Sequence, residues 1–130
     1  MKGVIVSKTK IAGRHLIADL VNLDEALCLD APGWLKAFIN ASQELGLEIV
    51  ASNSHIFKPP KQPGLTAFLL LDSSHFSVHS YSDVGIAAVD LFSCRDKDLS
   101  QTFMGICKEL GITKDNVLHE RQIRRFEDGE

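Results

Sequence analysis

The spacing of hydrophobic residues along this 130-residue chain changes several times. From Arg14 to Leu23 apolar and polar positions alternate weakly, as on a strand with one buried face. "DAPGWLKAFINASQELG" shifts to helical spacing, with Trp34, Leu35, Phe38, Ile39 and Leu45 on one stripe. Asp30 suits its N-cap, Pro32 its first turn and Gly46 its C-cap. "LEIVASNSHIF" reads as a second strand. "KPPKQPG" is a loop, because so many prolines leave too few N–H groups for a ladder. "LTAFLLL" reads as a buried strand. Two further strands, Ser74 to Tyr81 and Ile86 to Ser93, are joined by a short turn at Ser82, Asp83 and Val84, with Gly85 beyond it. "DLSQTFMGICKELG" is a second amphipathic helix ending at Gly111, "NVLHERQIRRF" a last strand and "EDGE" a tail.

The order β-α-β-β-β-β-α-β predicts an α+β fold. Two helices are too few to cover both faces of so large a sheet. Both are therefore expected on one face of a mostly antiparallel sheet, a two-layer sandwich in a single domain, residues 1–130. The other face is left for water or a partner, and self-association across it is the expectation.

Composition excludes more than it selects. Hydrophobic content of 45% and charged content of 24% are ordinary for a soluble globular domain. A net charge of −3 gives no basic footprint for nucleic acid. No apolar run approaches the ~20 residues of a membrane span. The apolar run in "MKGVIVSKTKIAG" is too short for a secretory signal, so a cytoplasmic protein is expected. Cys28, Cys94 and Cys107 are an odd number without metal-ligand spacing, which argues against a disulfide framework and a structural zinc site. Cys28 and Cys107 read as small buried hydrophobes.

The chemistry gathers in "LLLDSSHFSVHSYSDVGIAAVDLFSC", Leu69 to Cys94. Period two sets His75, Ser77, His79 and Tyr81 on one face of a strand and Phe76 and Val78 on the other. Taken alone, such a row is a half-exposed sheet face; it also suits a cleft. With the turn centred near Asp83, Ser74 lies opposite Phe92 and Cys94 is its diagonal neighbour. Diagonal neighbours are about 7–8 Å apart, within reach of one small ligand. The same register sets His79 on the face opposite Ser74, so their direct contact requires a bend or bulge. No G-x-S-x-G turn supports a Ser-His-Asp hydrolase, and no local signature supports a cysteine protease. Metal binding by His75, His79 and His119 is disfavoured, because positions four apart on a strand hold their side chains well separated.

"SSHFSVHSYSDVGIAAVDLFSC" resembles the processing and active-site segment of the short, prokaryotic-type S-adenosylmethionine decarboxylases. That pattern runs approximately E-S-H-[apolar]-[ST]-[apolar]-H-[ST]-[aromatic]-P-E-x-G-x-[AC]-A-[apolar]-D-[apolar]-[FY]-[ST]-C. "GRHLIADL", "SNSHIF" and "LHERQ" extend the likeness from Gly13 to about Gln122. The resemblance implies a proenzyme that cuts its own backbone between Ser73 and Ser74 and turns Ser74 into a pyruvoyl cofactor. It implies that His79 assists proton removal during processing, with Thr66 and Ser73 in support. It implies that Cys94 is the proton donor of decarboxylation, and that Phe57, Tyr81 and Asp83 contact the substrate.

The logic of the family is chemical. Loss of CO2 from an amino acid leaves a carbanion, and unmodified side chains offer no electron sink; a pyruvoyl ketone forms a Schiff base with the substrate amine and supplies one. The expected substrate is S-adenosylmethionine, the product feeds polyamine (spermidine) synthesis, and the expected assembly is a homodimer of processed two-chain protomers. The sequence departs from the family at Ser73, where glutamate is usual, and at Tyr81-Ser82-Asp83, where W-P-E is common. The alternatives are a pyruvoyl-dependent L-ornithine or L-arginine decarboxylase on the same scaffold, and an unprocessed homologue serving as a binding subunit.

Overall fold

The alternating runs of the sequence pair with one another in a single antiparallel sheet. The computed structural model describes residues 11–126, so the first ten residues of the N-terminal segment weighed as a signal and the "EDGE" tail lie outside the described residues. The strands are β1 (Gly13–Leu20), β2 (Ile49–Phe57), β3 (Gly64–Leu71), β4 (Ser74–Tyr81), β5 (Ile86–Ser93) and β6 (Val117–Arg125). Their order across the sheet is β2-β3-β4-β5-β1-β6. The helices are a single turn α1 (Glu25–Cys28), which the hydrophobic spacing does not announce, and two longer ones, α2 (Ala31–Glu44) and α3 (Ser100–Leu110).

Helix α2 begins where the sequence indicates. The Asp30 carboxylate accepts the Gly33 N–H at 3.0 Å, and Pro32 occupies the first turn. The helix stops at the C-cap Leu45, with Gly46 beyond it at φ 71°. Helix α3 ends on Gly111, in the left-handed conformation at φ 74°.

Both long helices lie on one sheet face. Trp34 and Phe38 of α2 and Phe103 and Ile106 of α3 are buried against Leu16, Leu69, Phe76, Val78, Val89 and Leu91 of the strands. Phe38 meets Phe76 edge-on at 5.9 Å. Truncating such an aromatic to alanine typically costs about 3–5 kcal/mol, because the cavity collapses only in part. Cys28 and Cys107 are buried in this layer, as expected of them. Burial pushes the Cys107 thiol up to about 11, with nearby Glu120 adding to the shift. Met104, by contrast, faces solvent.

Three local expectations need correction. Strand β1 ends at Leu20, not Leu23: Asn22 adopts φ 58°, and Leu23 leaves the ladder to bond the Gly85 carbonyl at 2.9 Å. Strand β3 is buried on one face only; Leu65, Ala67, Leu69 and Leu71 face the helices, while Phe68 and Leu70 remain 39% and 40% exposed. The β4–β5 turn holds Ser82 through Gly85, with Tyr81 opposite Ile86, so the register moves by one residue and His75, not Ser74, lies opposite Phe92.

Candidate active site

Leu71 pairs with Ser74, so Asp72 and Ser73 make the two-residue link from β3 to β4. Ser73 is exposed and stands at φ 50°, a region disfavoured for a residue with a Cβ. The next residue, Ser74, is only 5% exposed. Its Oγ accepts the backbone N–H of Cys94 at 2.9 Å. The Cys94 thiol in turn points to the Asp72 carbonyl oxygen at 3.6 Å. Cys94 thus holds the turn around the Ser73–Ser74 bond through both its amide and its sulfur. This junction is tighter than the diagonal approach expected from the sequence, and the one-residue change of register creates it: β5 finishes at Ser93, and the Cys94 amide comes free to meet Ser74.

The other expected site residues occupy the opposite end of the same strands. Thr66 pairs with His79 across β3 and β4, and Thr66 Oγ1 lies 2.9 Å from His79 Nδ1. Phe57 pairs with Gly64 at the end of β2, its ring 4.6 Å from that of His55. Tyr81 is exposed at the end of β4. Asp83 in the following turn accepts a hydrogen bond from the Gln62 side chain in the proline-rich loop. Gly64 makes this corner possible: a Cβ there would stand 1.9 Å from the Ser80 carbonyl oxygen.

Five strand positions separate Ser74 from His79, about 16 Å at the usual rise per residue. The register of β4 is unbroken on both sides, so no bulge brings the two residues together. The expected site residues therefore fall into two groups, Ser73–Ser74–Cys94 at one end of β4 and Thr66–His79 with Phe57, Tyr81 and Asp83 at the other.

Between them the uncovered sheet face carries a network that the sequence analysis missed. His15, His75 and Asp90 converge there, with both Asp90 oxygens bonded to imidazoles. The hydrogen bond from His75, joined by that from His15, holds the Asp90 carboxyl below the ordinary carboxylate range. A lone aspartate in the apolar run "IAAVDLF" was the available signal. The three histidines weighed as metal ligands take separate partners: His75 takes Asp90, His79 takes Thr66 and His119 takes Asp19.

The family model for S-adenosylmethionine decarboxylase matches residues 14–123. This chain belongs to that family. The S-adenosylmethionine decarboxylase proenzyme of Methanococcus maripaludis is 33% identical over 85 residues, 65% of this chain and 67% of that protein. The proenzyme of Thermotoga petrophila is 32% identical over 114 residues, 86% of this chain and 85% of its own. The crystal structure of the adenosylmethionine decarboxylase from Aquifex aeolicus superposes with a TM-score of 0.69 at 23% identity, covering 94% of this chain and 95% of that one. That likeness establishes the shared decarboxylase fold. Among the described residues, no helix is long and apolar enough to cross a membrane.

Proposed function

We propose that Ser74 is the processing serine and Cys94 the proton donor of this decarboxylase, and that its complete sites form between two copies of the chain. The protein is a self-processing, pyruvoyl-dependent enzyme that converts S-adenosylmethionine to its decarboxylated form for polyamine synthesis. The observation that carries the residue assignment is the Cys94 N–H on Ser74 Oγ at 2.9 Å, with the Cys94 thiol against the neighbouring Asp72 carbonyl.

Maturation uses the chain's own atoms. Ser74 Oγ attacks the Ser73 carbonyl carbon, the C–N bond breaks, and the amide becomes an ester with a free amine. Removal of the Ser74 α-proton expels the Ser73 carboxylate. Water then replaces the nitrogen, which leaves as ammonia, and the second chain begins with a pyruvoyl group. The local structure fits this sequence of events. Ser73 is already in a disfavoured backbone conformation, so opening its peptide bond relieves strain. The Cys94 amide holds Ser74 Oγ within the turn that contains its target.

Once formed, the pyruvoyl carbonyl supplies the electron sink that decarboxylation requires. Cys94 lies at the same turn, so its thiol is the group placed to return a proton to the substrate α-carbon. Phe57 offers an aromatic face, and Asp83 a carboxylate held by Gln62; these suit an adenine ring and ribose hydroxyls respectively.

His79 lies about 16 Å from Ser74 in its own chain, too far to remove the α-proton. A second copy placed across the uncovered sheet face resolves this separation. That face exposes Ile17, Phe68, Leu70, Tyr81, Ile86 and Ile123, an apolar surface of the kind that partners cover. An isologous dimer whose two-fold axis runs across the strands sets one end of each sheet against the other end of its partner. The Thr66–His79 pair of one copy is then the natural complement to Ser74–Cys94 of the other.

The test is intact-mass analysis of purified protein, followed by CO2 release from carboxyl-labelled S-adenosylmethionine, ornithine and arginine. The expected result is two chains separating at Ser73–Ser74 and CO2 from S-adenosylmethionine alone. An intact Ser74→Ala chain that still splits at this bond would remove the serine from its role.

A further inference from the structure

Maturation itself removes one of the contacts that hold Cys94. In the uncut chain its amide donates to Ser74 Oγ at 2.9 Å. In the proposed reaction that oxygen becomes the ester oxygen and leaves on the Ser73 carboxylate. The contact of the thiol with the Asp72 carbonyl, at 3.6 Å, is a weak one, and a thiol that delivers its proton to substrate has to leave it. The mature enzyme therefore needs another device to keep Cys94 in place.

The next residue supplies it. The Arg95 N–H donates to Oγ of the buried Ser93 at 3.0 Å. The Arg95 guanidinium reaches the end of α2, where Nη2 donates to the Gly46 carbonyl at 2.7 Å and Nε to the Leu45 carbonyl at 3.3 Å. Both carbonyls lie just past the last turn, where orphan acceptors and the helix dipole favour a cation. Two bonds from one planar fork fix a direction that a single contact would leave free. The same connector holds the other side of the cut. Residues 45–48 join α2 to β2, and Glu48 exchanges two hydrogen bonds with Asp72. The Asp72 N–H donates to the Glu48 carbonyl at 3.0 Å, and the Glu48 N–H donates to the Asp72 carboxylate at 3.2 Å. The connector and Asp72 belong to the first chain of the processed protein, and Cys94 and Arg95 to the second. The hold of the connector on Arg95 thus crosses from one chain to the other.

We propose that Arg95 is a positioning residue for decarboxylation: anchored on Leu45 and Gly46, it keeps Cys94 beside position 74 once cleavage has removed the Ser74 hydroxyl. The proposal rests on Ser74 being the processing serine and Cys94 the proton donor, and it separates two stages. Before cleavage the Cys94 amide is held by Ser74 Oγ, and the Arg95 anchor is redundant. After cleavage the placement falls to Arg95. An acid held loosely delivers its proton less selectively. The fault then shows as protonation at the wrong carbon, which consumes the cofactor, together with slower turnover.

The experiment compares wild type, Arg95→Met, Arg95→Ala, Arg95→Lys and Cys94→Ala. Maturation is timed by intact mass, turnover by CO2 released from carboxyl-labelled S-adenosylmethionine, and cofactor survival by the mass of the second chain. CO2 released per pyruvoyl group lost reports where the proton goes. Arg95→Met keeps the apolar stem and removes every side-chain donor. It should mature at the wild-type rate and keep its KM. Its kcat, and the turnovers completed before the cofactor is lost, should each fall about three- to tenfold. Arg95→Lys keeps the cation without the fork and should fall between Arg95→Met and wild type. Arg95→Ala repeats the test with a shorter side chain if the Met variant does not fold; failure of both to fold makes Arg95 a folding residue and overturns the proposal. A folded Met or Ala variant with wild-type kcat and cofactor survival overturns it as well. So does maturation slowed as much as turnover, because a general loosening of the turn acts on both stages. A wild-type chain that is never cut overturns the processing assignment and the anchor together. Normal turnover in Cys94→Ala withdraws the acid and with it the reason for the anchor. Impaired turnover in Cys94→Ala beside normal turnover in Arg95→Met leaves Cys94 its role and removes Arg95 from it.

Discussion

The two ends of strand β4 solve different problems with different materials. At the Ser74 end the geometry is fixed by backbone: a two-residue link, a disfavoured φ at Ser73 and an amide from the end of β5. At the His79 end it rests on side chains that meet above the sheet, a partly buried Thr66 with an exposed His79, and Gln62 with Asp83, both exposed. The first end can carry strain because the sheet beneath it is rigid. The second has the features of an incomplete surface, polar and aromatic groups with little to enclose them. On the proposed function, a short stretch of sequence contains two halves of one site without bringing them together. Ser74 and His79 are close in the motif and about 16 Å apart in the strand.

The largest expected effect tests the Ser74 end. Ser74→Ala removes the only hydroxyl held in this turn by the Cys94 amide, and maturation should stop altogether, leaving one intact chain on a denaturing gel. His79→Ala should stall later, after the ester has formed. Hydroxylamine cleaves esters and should split that stalled chain at Ser73–Ser74. Co-expression of the two variants then asks how the ends meet. If they meet between copies, a mixed dimer joins the intact Ser74 of one chain to the intact His79 of the other. About half of the His79→Ala chains should then mature, the fraction that random pairing places in mixed dimers. No cleaved His79→Ala chain in the mixture would show that each copy must complete its own site.

The second effect separates catalysis from processing at the Ser74 end. A buried cysteine that merely packs would cost roughly 1 kcal/mol on truncation to alanine. As proton donor, Cys94 should be worth roughly 10²–10⁴ in turnover, about 3–5 kcal/mol. Turnover number and pyruvoyl content followed over time in Cys94→Ala distinguish the two. Loss of the acid should leave the carbanion to be protonated at the wrong carbon, transferring the amine to the cofactor and inactivating the enzyme. Equal turnover with equal cofactor survival returns Cys94 to the core.

How much of this was legible in the sequence follows from how local each cause is. The helix boundaries at Asp30, Gly46 and Gly111 could be read directly, because capping is decided within a few residues. The polar row on β4 could be read from period two alone, and the single covered face from the count of long helices. The Ser74–Cys94 pairing was nearly legible. It failed by one residue because the β4–β5 turn takes four residues, and a turn of that length shifts its centre past Asp83. The Arg125–His15–Asp90–His75 network was not legible at all. Its members come from four strands, with Arg125 and His15 separated by 110 positions and His15 and Asp90 by 75. Only the order β4-β5-β1-β6 brings them together. The exposure of Phe68 and Leu70 was hidden for a related reason: an unbroken apolar run looks the same whether a helix layer or a second copy covers its far side.

The smallest effect probes the His79 end through a residue that never touches the scissile bond. Gln62 lies in the proline-rich loop, and its amide donates to the Asp83 carboxylate. Where family members commonly carry glutamate, Asp83 is one methylene shorter; if Asp83 contacts the ribose as proposed, its reach depends more heavily on how it is held. A single hydrogen bond to a charged group is worth about 1.5–3 kcal/mol when buried, and less at an exposed site such as this. Gln62→Ala should therefore raise KM for S-adenosylmethionine about three- to tenfold, while kcat and the rate of maturation stay as in wild type. A change in maturation would mean that the loop acts on the Ser74 end, and the separation of the two ends would fail. An unchanged KM would release Asp83 from the substrate and leave Phe57 and Tyr81 as the remaining contacts at that end.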